Sequence, residues 1–160
     1  MTTGRLRKVI VVGLALLVIA SVVRAQFRRP DAPPDPALGL GARVAVPAPV
    51  MSTLRHACFD CHSEETRWPW YSRLPVASQL IERDVKDGRG QLNFSRWTQY
   101  DPFDRADLLD RVCSMVTAGK MPPSGYRFVH GEARLSQADI TQLCEWTRNE
   151  ATRLVQGGSR

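Results

Sequence analysis

Residues 9–23 read VIVVGLALLVIASVV, fifteen positions without a charge and without a polar face set against an apolar one. A helix that is apolar all round has no single stripe to turn towards a core, so this run points to export or lipid. The pattern changes after residue 25. QFRRPDAPPDPALGLGARVAVPAPV, residues 26–50, holds six of the eleven prolines and predicts a semi-rigid spacer over 26–44. Its ARVAVPAPV end could instead pack as an arm of the domain. Helical spacing then takes over. Val50, Leu54 and Cys58 follow Pro49 at i, i+4 and i+8, and Val76, Leu80, Ile81 and Val85 repeat the period up to Gly88 and Gly90, which are expected to end that helix. Leu108, Leu109, Val112, Cys113 and Val116 lie between an Asp101–Pro102 start and a Gly119 stop. Ile140, Leu143, Cys144, Thr147 and Leu154 follow a Ser136/Asp139 capping pair. No segment sustains the period of two that a strand requires. The expected fold is therefore all-α: about four helices over 45–155, preceded by an apolar segment (1–25) and the linker (26–44), and followed by a tail (156–160). Long loops are expected at 63–75 and 119–135, which leaves little core unless an apolar group sits among them.

Charge narrows the function. The formal charge is +6, but residues 1–29 carry six basic residues and no acidic one, and the remaining sixteen basic residues meet sixteen acidic ones. A nucleic-acid binder needs a basic face on its folded domain, and no such excess exists there. Arg5, Arg7 and Lys8 before the apolar run make a basic n-region, and Val23 and Ala25 suit cleavage after Ala25. The run is short of the roughly 20 residues of a typical span, so a cleaved signal and a retained anchor both stay open. Either places the domain outside the cytoplasm, where disulfides persist.

The chemistry concentrates in HACFDCHSEETRWPWYS, residues 56–72. Cys58, Cys61 and His62 allow a zinc site, a thiol–disulfide pair or a covalently attached haem. A thioredoxin-like pair needs a preceding strand. Structural zinc needs a fourth ligand, and adjacent Cys61 and His62 suit one tetrahedron poorly. C-x-x-C-H is the c-type haem attachment pattern, with two thiols for the vinyl groups and the histidine for the iron. Met121, between a helix stop and Pro122–Pro123, is the expected sixth ligand, completing a His/Met set that raises the potential. His130 is a rival, His56 lies too near Cys58 to reach the other face, and Met51 and Met115 read as core filler. Cys113 and Cys144 remain, each on an apolar helix face. They are expected to be bonded, the other reading being two buried thiols.

ACFDCHSEETRWPWYSRLPVASQL, RDVKDGRGQLNFSRW, GKMPPSGYRFVHGEARLS and the tryptophan of CEWTR together resemble the bacterial haem-binding domain family of small monohaem c-type cytochromes. The resemblance covers roughly residues 45–155. It implies a cytochrome c-like fold, covalent haem at Cys58 and Cys61, and axial His62 and Met121. QFRRP at 26–30 resembles a membrane-proximal feature of the family and favours a retained anchor. With haem assumed, Trp68, Trp70 and Tyr71 are expected to wall the porphyrin, and Trp97 to offer a further donor to its propionates. The Pro75 carbonyl is expected to accept the His62 Nδ1 proton. Arg67 and Arg73 are expected to meet propionates or water, at least one of them water. The function expected is electron transfer by one haem c on the periplasmic side of the bacterial inner membrane, by a carrier that is not an enzyme. A sensor or peroxidase with an open sixth position is the alternative. Donor and acceptor are not encoded legibly.

Overall fold

In the computed structural model, which describes residues 3–26 and 32–158, the four expected helices are the four long helices of the domain. They are α2 (Ala48–Ala57), α4 (Pro75–Gln91), α5 (Pro102–Thr117) and α7 (Gln137–Gly158). Between them lie the short helices α3 (Phe59–His62) and α6 (Ser124–Val129). Single 3-10 turns occupy Leu40–Ala42, Trp70–Arg73 and Gly131–Ala133, and Phe94–Gln99 is a pair of 3-10 turns kinked at Arg96. Of the two stretches expected as long loops, 63–69 has no helix and leads into the Trp70–Arg73 turn, whereas 119–135 contains α6 and the Gly131–Ala133 turn. No strand occurs among the described residues.

Helix ends follow local chemistry. Pro sits in the first turn of α2, α4 and α5, where its missing N–H costs nothing. The Asp101 carboxylate accepts from the N–H groups of Phe103 and Asp104 and so caps α5. Ser136 and Asp139 bond reciprocally ahead of α7, the side chain of each accepting from the other's N–H. α5 ends in a Schellman pair, with Gly119 N–H on the Val116 carbonyl, Lys120 N–H on the Met115 carbonyl, and Gly119 at φ +65°.

α5 packs along α7 and carries Leu109 and Val116 against Leu143, Cys144 and Ala151 in one core with Leu54, Phe94 and Trp97. Cys113 and Cys144 are joined as a disulfide, S–S 2.02 Å. The structure revises three boundaries. Leu40 and Val44 are buried in the core, and Thr98 N–H donates to the Leu38 carbonyl, so the second half of the supposed linker is an arm of the domain. Burying an aliphatic side chain is worth about 1.5–3 kcal/mol, enough to hold a short arm down. α7 runs to Gly158, three residues into the expected tail. α4 passes through Gly88 and Gly90 to Gln91. Most of the QFRRP motif, and the last two residues of the tail, lie outside the described residues.

At the other end, α1 (Thr3–Gln26) is one unbroken helix, longer than its uncharged run. At 1.5 Å per residue it is about 36 Å long, against about 30 Å of hydrocarbon. Its Thr3–Val23 stretch is long and apolar enough to cross a membrane. It contacts α4 and the Trp70–Arg73 turn.

Candidate functional site

Cys58, Cys61, His62 and Met121 line one cavity of about 410 Å³, together with Ala57, Leu92, Phe94, Leu108, Val112, Met115, Val116 and Tyr126. That volume is in the range of small-molecule and cofactor sites, about 300–1,000 Å³. A shallower groove of about 820 Å³ between the 43–50 arm and α7 contains none of Cys58, Cys61, His62 and Met121, although the tryptophan of CEWTR, Trp146, lines it.

The cysteine-bearing turn is held tightly. α2 ends at Ala57, Cys58 begins the single turn of α3, and His62 closes it. Ser63, fully buried, donates to the Phe59 carbonyl and accepts from Glu65 N–H. Arg89 from α4 donates to the Ser63 carbonyl at 2.8 Å. α4 comes close enough for this because residue 88 is glycine: a Cβ there would stand 2.6 Å from the Cys61 carbonyl oxygen. His62 Nδ1 lies 3.1 Å from the Leu92 carbonyl. A carbonyl can only accept, so the proton sits on Nδ1 and Nε2 keeps its lone pair for a metal. Burial holds the His62 pKa below the ordinary range, which keeps the ring neutral as a ligand must be.

Asp60, between the two cysteines, is buried and gathers four donors. Arg67 contributes its backbone N–H, Nε and an Nη, and the Tyr126 hydroxyl donates at 2.7 Å. The hydrogen bond to Asp60 raises the Arg67 pKa, and burial together with that bond raises the Tyr126 pKa. The carboxylate thereby ties α3 to the following loop and to α6.

The thiols are not tuned for redox exchange. Burial, then the neighbouring Cys61, pushes Cys58 up to about 12, and burial with Asp84 and Asp60 pushes Cys61 up to about 11. A dithiol catalyst needs the opposite shift, since the thiolate attacks. Among the described residues no three His, Cys, Asp or Glu side chains converge as a metal cluster.

On the α5 side, the Schellman turn delivers Met121, whose N–H donates to the Met115 carbonyl at 3.2 Å. Met115 lines the cavity as well, so it is more than core filler. His130 does not line it. Its Nε2 pairs with the Tyr71 hydroxyl at 2.6 Å, its Nδ1 with Glu132 at 3.0 Å, and its ring stacks on Tyr126.

Several expected assignments change. Trp68, Trp70, Tyr71 and Trp97 are not among the lining residues. Trp70 is 76% exposed because its 3-10 turn faces outward, and Tyr71 is engaged by His130. Pro75 opens α4, and the His62 acceptor is Leu92 instead, brought under the ring where α4 ends. Arg67 pairs with Asp60 rather than with a ligand. Trp97 is fully buried behind Phe94, and its Nε1 has no hydrogen-bond partner. Asp60, Gly88, Leu92, Met115 and Tyr126 were missed. For Asp60 and Gly88 a signal existed in the quoted motifs CFDCH and VKDGRG; a backbone carbonyl such as that of Leu92 has none.

Comparison with known proteins agrees on the class of ligand. A family model described as a haem-binding domain matches residues 15–149. Cytochrome c peroxidase Ccp of Escherichia coli (strain K12) is 26% identical over 102 residues, which cover 61% of this chain and 22% of that protein. The chain thus spans about a fifth of that curated relative. No solved structure matches it.

Proposed function

Since the chain belongs to the haem-binding domain family, we propose that it is an electron-carrying cytochrome domain with one covalent haem c. The observation that carries this reading is the sharing of one cavity by Cys58, Cys61, His62 and Met121. The residues fit the group. Two free cysteines stand beside a neutral imidazole whose Nε2 is unprotonated, and most of the remaining lining is apolar. When bound, haem supplies a one-electron Fe(III)/Fe(II) couple, tuned by its axial ligands and by burial.

The protein's own contributions are positional. Cys58 and Cys61 hold the group by thioethers. Leu92 orients His62 through Nδ1–H, and Arg89, Ser63 and Gly88 keep that turn from shifting. Met121 would offer the metal a thioether, a soft donor that favours its reduced state. No acid–base side chain is needed for this role. α1 would keep the domain at the membrane; Arg5, Arg7 and Lys8 at its start favour an N-terminus in the cytoplasm and a periplasmic domain, and Arg24, Arg28 and Arg29 on its other side weaken that preference. Electron donor and acceptor are then proteins or small carriers on that side.

Expression with haem-attachment machinery tests the cofactor. The denatured protein should keep one haem per chain, and Cys58→Ala with Cys61→Ala should lose it. A mass equal to the bare polypeptide would refute covalent attachment. A second reading, a peroxidase-type enzyme with a labile sixth position, draws on the similarity to a protein named cytochrome c peroxidase. Carbon monoxide separates the two. The reduced carrier should resist it until Met121 is replaced by Ala, and rapid binding by the unaltered protein would favour the enzyme.

A further inference from the structure

Six large apolar side chains are exposed on the Trp70–Arg73 turn, the start of α4 and the end of α6: Trp70 (76% exposed), Leu74 (47%), Val76 (74%), Leu80 (57%), Phe128 (83%) and Val129 (56%). Chain distance alone does not gather them, since they come from the Trp70–Arg73 turn, the first turns of α4 and the end of α6. The 2.6 Å hydrogen bond between Tyr71 and His130 does, because Trp70 and Leu74 flank one partner and Phe128 and Val129 precede the other. Val76 and Leu80 continue the patch along α4 at i, i+4. Large apolar side chains exposed on neighbouring elements in this way mark an interaction surface more than singly scattered ones do.

The occupant is indicated by α1. That helix contacts two of the elements that build the patch, α4 and the Trp70–Arg73 turn. Exposure along α1 is 66% at Leu17 but 47% at Val23 and 37% at Val22, and Ser21 is half-buried, so its C-terminal end is the part that meets the domain. The patch therefore lies where an apolar helix of membrane-crossing length leaves the hydrocarbon. Tryptophan and phenylalanine are suited to that depth, with aromatic bodies in the acyl boundary and polar neighbours among the headgroups. Arg73, exposed within the patch, adds a cation for anionic headgroups. We propose that this face rests in the headgroup layer of the bilayer, making the domain a membrane-seated unit rather than one swinging on a tether. Its stripe on α4 leads from Val76 and Leu80 to Asp84 and Gly88, which line the cofactor cavity, so the cavity is carried close to the membrane surface. The inference rests on α1 being retained in the membrane.

Photolabelling of the full chain tests it. The protein would be placed in vesicles of equal phosphatidylcholine and phosphatidylglycerol containing a phospholipid with a diazirine near the headgroup end of its acyl chain. Labelled peptides are then mapped by mass spectrometry. The expected result is label in α1 and also in 70–80 and 124–130, with the surface of α7 at background. Trp70→Ser with Phe128→Ser should reduce the label in 70–80 and 124–130 to the α7 level and leave α1 labelled. Label confined to α1 would overturn the proposal while leaving the anchor intact, and would make the patch a site for a protein partner. Label in 70–80 that ignores both substitutions would also overturn it, since α1 alone would be setting the distance. Absence of label from α1 would remove anchor and seat together.

Discussion

The two sides of the cavity shared by Cys58, Cys61, His62 and Met121 are held by different means. The side built on α3 and α4 carries Cys58, Cys61 and His62 and is fixed by buried polar contacts: Ser63, Arg89, Asp60 with its four donors, the Leu92 carbonyl, and a backbone approach that tolerates no side chain at residue 88. The side built on α5 carries Met115, Val116 and Met121. It is fixed by a disulfide to α7 and by helix ends, with no buried ion pair among the described residues at the methionine loop. The difference teaches where each side can be broken. The first fails by substitution of single buried groups, and the second by reduction or by loosening a cap.

The largest effect should come from the disulfide. Its partners are separated by 31 residues, and closing such a loop stabilises by about 3.5 kcal/mol in the chain-entropy model. Cys113→Ala with Cys144→Ala should lower stability in urea by about that amount while sparing the C-x-x-C-H turn. Reductant should reproduce the loss in the parent and have no effect on the double variant. Equal urea midpoints for parent and variant would show that packing of α5 on α7 alone holds the methionine side.

Next comes Gly88, with a control two residues away. Gly88→Ala drives a Cβ to 2.6 Å from the Cys61 carbonyl, so backbone must move, at about 3 kcal/mol, the upper end of overpacking costs. Gly90 has nothing within 4 Å of the same position, and Gly90→Ala should be neutral or stabilise α4 by up to about 1 kcal/mol. The sign change between neighbouring glycines is the test. Two losses of equal size would mean that helix flexibility, not close approach, is the reason for both.

That pair also marks the limit of what the sequence discloses. Periodicity and capping residues foretold the four long helices, because those signals are local: Asp101 before Pro102, Ser136 with Asp139, and Gly119 after an apolar face. C-x-x-C-H and Met121 stand out in the sequence because thiol, imidazole and thioether have few other reasons to occur at those places, and the structure brings them to one cavity. Gly88 and Gly90 look alike as letters, and only the approach of α3 to α4 separates them. Leu92 supplies a carbonyl that every residue possesses. Trp70 failed in the opposite direction. An aromatic cluster beside a cofactor motif implies a wall, but a 3-10 turn presents only part of itself inward, and local pattern does not say which part. Leu40 lay in a proline-rich stretch whose composition masked a core residue, whereas Val44 belongs to the ARVAVPAPV end for which a packed arm was the other reading.

Asp60 should have a smaller effect, about 2 kcal/mol for Asp60→Asn. The amide keeps the shape but weakens hydrogen bonds made to a charge, which are worth about 1.5–3 kcal/mol. Arg67 is 61% exposed at its side chain, so the ion pair itself contributes little, and the Tyr126 bond should dominate. A double-mutant cycle of Asp60→Asn with Tyr126→Phe measured in urea should show coupling, whereas the cycle with Arg67→Gln should be close to additive. Additivity in both would remove the tie between α3 and α6.

The smallest effect belongs to the helix caps, and it should depend on acid. Ser136→Ala removes the hydroxyl that accepts from Asp139 N–H, at about 1 kcal/mol. The hydrogen bonds from Ser136 hold the Asp139 carboxyl below its usual pKa, and the Asp104 and Phe103 N–H groups do the same for Asp101. Each therefore binds its proton more weakly folded than unfolded. As pH falls through the unfolded carboxylate range near 4 the unfolded chain takes up protons first, so the contribution is complete above that range and is lost below it. Both caps serve α5 and α7, the helices of the methionine side. Thermal unfolding followed from about pH 6 to about pH 3 should thus fall less steeply for Asp101→Asn with Asp139→Asn than for the parent, because the amides have no proton to take up. Adding the loss of the disulfide should leave that difference in slope unchanged, since a covalent bond between helices and a charge at their ends act on separate parts of the same side. A parent and a double amide that lose stability in parallel would show that the acid response arises elsewhere, and would deny the caps their part in holding the methionine side.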